Sequence, residues 1–196
     1  RRTARSQRGS GTSENPNEGR QPLAPMIFHP DRMNMDEVLP LDVKTLIVGV
    51  GNPILSDDGV GIYAARMLLA RGLPGVSIEE LPASGLELLD MVLDHDRVVI
   101  VDAIQTEGGS PGDHYIMAEE DFKRSVHGTS PHGFNIATAL AMGRQVVPER
   151  MPKEIFFVAI EAEDVEDFRE GLTPKVAASL PAIVDMIERE FIRRGG

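Results

Sequence analysis

Cysteine is missing from this chain altogether. That excludes a disulfide framework, a thiolate zinc site and a cysteine nucleophile. Positive charge is also scarce: 20 Lys and Arg face 31 Asp and Glu, a formal net charge of −11. Neutralising nucleic-acid phosphates needs a basic face, so a DNA or RNA partner is not expected. No apolar run approaches the ~20 residues of a membrane-spanning helix. The opening RRTARSQRGS has paired arginines without an apolar stretch behind them, and is not read as an export segment. A cytoplasmic protein is expected. One familiar catalytic signature is absent as well, the H-E-x-x-H zinc pair.

What is present falls into two parts. Residues 1–43 are expected to form a disordered tail. Through Pro25 they hold five Arg against two Glu, with Ser, Gly, Asn and Pro between and no hydrophobic period. That segment carries +3, so the remainder of a chain with net charge −11 carries −14. Residues 44–196 read as one domain, in which apolar strands alternate with helices. Strands are expected at Lys44–Val50, Val76–Leu81, Arg97–Asp102, His114–Met117 and Lys153–Ile160. Helices are expected at Gly59–Gly72, Gly85–His95, Gly133–Gly143 and Pro174–Arg194. The second of these is read with Leu86, Leu89, Val92 and Leu93 on one face. The last has Thr173 at its N-cap and Pro181 as a kink or a delayed start. The order predicts a three-layer α/β/α domain: a mostly parallel, twisted sheet of five strands with helices on both faces. In such sheets the working crevice lies beyond the carboxyl ends of the strands.

Three features gather there. Gly49-Val50-Gly51-Asn52-Pro53-Ile54 imitates the dinucleotide fingerprint G-x-G-x-x-G, but Ile54 stands where the third Gly belongs and Pro53 lacks an amide. Asp57 and Asp58 then enter a helix N-terminus, the place a phosphate would need. Glu79 or Glu80 could still mimic the ribose-binding acid, so a Rossmann-like nucleotide enzyme stays as an alternative. The plain alternative for Asp57-Asp58-Gly59 is helix capping. Asp57 is the expected cap, and Asp58 the residue facing the crevice. Asp102 ends the apolar strand VVIVD, where a site acid or a turn-capping acid are both possible. His132 opens the third helix after the loop SVHGTSPHGF, with His127 as a possible accessory. His29, His95, His114 and, in its plain alternative, His127 read as solvated. Asp58, Asp102 and His132 make a set of two carboxylates and one imidazole, a mixture suited to a borderline divalent ion such as nickel or zinc.

These motifs resemble those of the hydrogenase maturation endopeptidases. The likeness lies in Gly49-Val50-Gly51-Asn52, Asp57-Asp58-Gly59, Pro82-Ala83-Ser84-Gly85, Val101-Asp102-Ala103, Thr129-Ser130-Pro131-His132 and Gly171-Leu172-Thr173-Pro174. It runs from about Leu46 to the terminal helix. The resemblance implies an endopeptidase that removes a C-terminal peptide from the precursor of a nickel–iron hydrogenase large subunit after nickel insertion. It implies nickel binding by Asp58, Asp102 and His132, the metal arriving with the substrate protein, and Asp58 and Asp102 as candidate catalytic carboxylates. The expected partner is the precursor, and the expected state a monomer. A non-catalytic assembly chaperone docking on the same precursor is the other alternative.

Overall fold

The computed structural model describes residues 43–82, 85–125 and 132–192. The expectation for the N-terminal tail falls outside these residues, save Val43. Five strands form one sheet: β1 Thr45–Val50, β2 Val76–Leu81, β3 Arg97–Ile104, β4 His114–Ala118 and β5 Glu154–Glu161. Their order is β2-β1-β3-β5-β4, and only β4 runs antiparallel to its neighbour. Among the described residues five α-helices accompany them: α1 Val60–Ala70, α2 Glu87–Val92, α3 Glu119–Ser125, α4 Gly133–Val146 and α5 Pro174–Ile187.

The continuous apolar runs LIV, VVIV and IFFVAI become β1, β3 and β5, and all but the first residue of β5 is buried. Alternate side chains go to opposite faces, as the two-residue strand period requires. Ile47, Val99, Val101 and Val158 pack under α1 and α5 with Leu68, Leu180, Ile183 and Val184. Leu46, Val48, Ile100 and Phe157 pack under α2 and α4 with Leu88, Ile136 and Leu140. The sheet is therefore covered on both sides, and the three-layer expectation holds.

Several local expectations shift. Helix α2 is shorter than Gly85–His95, and it buries Leu88 and Val92 while Leu86 is exposed. Helix α5 is continuous from Pro174 through Pro181, so Pro181 does not delay its start. Helix α3 was not anticipated. It opens on Glu119, Glu120 and Asp121, and Phe122 is buried, its ring stacked on Phe157 at 3.6 Å between centroids.

Glycines bring α1 unusually close to the sheet. A Cβ on Gly61 would run into the carbonyl oxygens of Val50 and Val101, and one on Gly49 into Gly61 and Ala65. The helix thus starts directly over the carboxyl end of β1 and over Val101 of β3. Gly51 has φ 137°, a conformation other residues rarely adopt, and a Cβ there would meet the carbonyl of Asp58.

Candidate active site at the strand ends

After β1 the chain makes the turn 51–55, and a single 3-10 turn, Ser56–Gly59, leads into α1. The two acids of that turn face different partners. Asp58 is 2% exposed, and its Oδ2 accepts the backbone N–H of Asn52 at 3.0 Å. His132 stands at the head of α4, with Nε2 3.1 Å from Asp58 Oδ1 and 3.2 Å from Oδ2. Asp102 lies inside β3, 3% exposed, and its Oδ1 accepts the N–H of Ala103 at 2.9 Å. Burial disfavours a charged imidazole. The hydrogen bond to Asp58 and the negative fields of Asp102 and Asp58 outweigh that penalty and raise His132 above the ordinary histidine pKa. The imidazole therefore senses both carboxylates.

Asp57 does not cap α1, contrary to the expectation from its position; no side-chain cap bond forms there. Its buried carboxylate instead accepts four hydrogen bonds from distant backbone and side chain. The donors are the N–H groups of Glu163 (3.0 Å), Asp164 (3.2 Å) and Thr173 (2.7 Å), and the Thr173 hydroxyl (2.9 Å). Thr173 sits at the N-cap of α5 as expected, but its hydroxyl serves Asp57 and not its own helix. The 162–173 segment is thereby knitted to the turn that carries Asp58. Leu55 and Arg169 form a parallel bridge: Arg169 N–H donates to the Ile54 carbonyl (3.0 Å), and Ser56 N–H to the Arg169 carbonyl (2.8 Å). Ser56 takes a left-handed φ of 51°, and the Arg169 guanidinium donates to its hydroxyl at 2.7 Å.

The turn leaves no cradle for a phosphate. Gly51 N–H donates to the Leu81 carbonyl, Asn52 to Asp58, and Ile54 to the Asn52 side chain. Leu55 donates to Asn52, Ser56 to Arg169, Asp57 to Asp164 and Asp58 to Leu55. Every N–H from Gly51 to Asp58 is committed within the protein, and Pro53 has none. The two acids would repel a phosphate besides.

The site residues read from sequence have different outcomes. Asp58 and His132 meet directly, and Asp102 joins them through its field. Among the described residues, no three His, Asp or Glu side chains are already spaced around a common metal position. His127, Ser84 and His29 lie outside the described residues. His95 lies at the far end of the sheet, its Nδ1 3.2 Å from the Leu93 carbonyl, and His114 is an exposed strand residue. Sequence reasoning gave no role to Asn52 beyond its motif, nor to Arg169 or Glu161. Glu161 is a buried carboxylate at the end of β5 that accepts both the hydroxyl and the N–H of Thr106. Its place at the end of a central strand was a usable signal, masked by the acidic run that follows it.

A three-layer fold with a buried carboxylate–imidazole pair at the strand ends places the chain among α/β proteins whose chemistry is built from loop residues. The family model for hydrogenase maturation protease (HycI) matches residues 69–190, and the chain belongs to that family of peptidases. It is 28% identical over 148 residues to the hydrogenase 2 maturation protease of Escherichia coli (strain K12), covering 74% of this chain and 88% of that one. It is 29% identical over 161 residues to the hydrogenase expression/formation protein HoxM of Azotobacter vinelandii, covering 77% and 73%. The solved structure of the hydrogenase maturating endopeptidase HybD from E. coli matches with a TM-score of 0.64 and 27% identity over 75% of this chain and 91% of that one. Among the described residues, no helix is long and apolar enough to cross a membrane.

Proposed function

We propose that this chain removes a C-terminal peptide from the precursor of a nickel–iron hydrogenase large subunit, after nickel has been inserted. The nickel is part of the substrate, and Asp58, Asp102 and His132 recognise it. The observation that carries this reading is the contact of His132 with Asp58, beside Asp102, at the strand ends of a maturation protease. Asp58 and Asp102 are both buried carboxylates beside that imidazole. Their oxygens and the imidazole nitrogen match the donor preference of a borderline divalent ion.

A bound nickel ion supplies the charge to polarise a carbonyl and acidify water. The chain's own residues do the rest. His132 must give up its proton to present Nε2 as a donor. The Asn52 N–H holds Oδ2 of Asp58, and Oδ1 faces His132 Nε2. Asp58 and Asp102 are the candidate acceptors for the proton of the attacking water. That water adds to the scissile carbonyl, the C–N bond breaks, and the departing amine takes the proton back. The setting we propose is a cytoplasmic monomer acting on a protein partner.

Co-expression with a large-subunit precursor, followed by intact-mass measurement, tests this. Loss of a short C-terminal peptide only with nickel supports it. Stable binding of an uncut precursor by the wild-type chain would favour the chaperone reading.

A further inference from the structure

Three of the large apolar side chains left exposed lie on loops at the site end of the sheet: Ile54 (47% exposed), Leu86 (60%) and Phe168 (84%). They follow β1, β2 and β5. Phe168 is the notable one, because its backbone is not loose. Asp164 Oδ1 accepts the N–H groups of Glu166 (3.0 Å) and Asp167 (3.2 Å), and Arg169 is bridged to Leu55. Gly171 N–H donates to the Tyr63 hydroxyl at 3.0 Å. Behind them Asp57 anchors Glu163, Asp164 and Thr173. A phenyl ring held out on so firmly tied a loop has little freedom left to lose when it is covered, which suits an interface anchor.

The surrounding charge specifies what covers it. Glu166, Asp167 and Glu170 are exposed and acidic, while the one base among them, Arg169, is turned back onto Ser56 and lies 3.7 Å from Asp164. The bridge also sets Phe168 beside Ile54, four residues before Asp58 in the same turn. We infer that the Phe168 loop, with Ile54, is the docking point for the large-subunit precursor, which meets it with an apolar pocket edged by lysine or arginine. This rests on the proposed function for the identity of the partner. The loop holds the precursor while the site beside it engages the metal and the scissile bond, so Phe168 determines affinity and Asp58 determines cleavage.

Binding of nickel-loaded precursor is measured by calorimetry for the wild-type chain, Phe168→Ser, Phe168→Leu and the double variant Glu166→Lys/Asp167→Lys, with cleavage followed in parallel. Phe168→Ser weakens binding by about ten-fold or more, as loss of an aromatic anchor does, and Phe168→Leu recovers most of it. The charge reversal weakens binding and flattens its salt dependence. The loss in cleavage is carried by KM, and the melting temperature of Phe168→Ser stays that of wild type, because the ring is exposed. Wild-type affinity in Phe168→Ser would overturn the docking assignment, as would a wild-type chain that fails to bind the precursor. A wild-type chain that binds without cutting sinks the protease reading and leaves the docking surface standing on the variants.

Discussion

His132 Nε2 lies between the two carboxylate oxygens of Asp58, 3.1 and 3.2 Å away, although the residues are 74 positions apart in the chain. Asp58 belongs to the turn after β1, and His132 heads α4 on the opposite side of the sheet. The pair therefore spans the end of the sheet, and Asp102 in β3 contributes its field to the same imidazole. On the proposed reading, nickel and a proton compete for this one nitrogen.

The first prediction concerns that proton. Burial lowers the affinity of His132 for it, but the Asp58 hydrogen bond and the Asp102 field more than reverse this. In metal-free protein the His132 ring titrates above the ordinary value of about 6.5. Because the folded-state pKa is raised, the stability from this pair is fully present below the unfolded-state value and is lost as pH rises through the folded one. NMR titration of the imidazole reads the midpoint directly, and Asp58→Asn brings it down. A wild-type midpoint at or below 6.5 contradicts the geometry.

The same competition shapes activity. Cleavage of nickel-loaded precursor falls as pH is lowered through the His132 midpoint, since the protonated ring offers no lone pair at Nε2. A rate profile flat from well below to well above that midpoint would remove His132 from metal recognition.

Asp57→Ala tests the anchor under the site. The substitution strips four donors of a buried acceptor, a loss on the order of 3 kcal/mol. Urea denaturation measures it. A change below about 0.5 kcal/mol, typical of uninvolved surface positions, would show the network to be unimportant.

Gly61→Ala tests the close approach of α1. The added methyl meets the Val50 and Val101 carbonyls, and such overpacking costs about 1–3 kcal/mol or more. At Gly72, with φ 60° and nothing within 4 Å of a Cβ, alanine meets only left-handed strain of about 1–2 kcal/mol. Thermal melts of the two variants separate crowding from strain. Equal and small losses would mean that α1 can shift without consequence.

Much of this arrangement was legible in the sequence, and the failures have physical causes. Strands β1, β3 and β5 announce themselves because a sheet covered on both faces selects unbroken apolar runs. Asp58 and His132 could be picked out because each lies where a helix begins, and Asp102 because it closes the apolar run VVIV, although β3 itself continues to Ile104. Asp57 was misread because its local context, an acid before a helix, fits a cap. Its actual partners lie 106 to 116 residues away, and only the fold brings them near. Helix α3 was invisible because Phe122 alone gives no periodicity among Glu119, Glu120 and Asp121. The nucleotide alternative could be weakened by the missing third glycine, but only the hydrogen bonds show that the turn's amides are already spent.

The central claim is that this site cuts a nickel-loaded precursor through Asp58, Asp102 and His132. Intact-mass analysis of a large-subunit precursor incubated with wild type, Asp58→Asn, Asp102→Asn and His132→Ala, each with and without nickel, tests it most directly. The account predicts loss of one short C-terminal peptide with wild type and nickel, and loss of at least about 100-fold in rate for each variant. Processing by all three variants at the wild-type rate, or nickel-independent cleavage by the wild type, would contradict it.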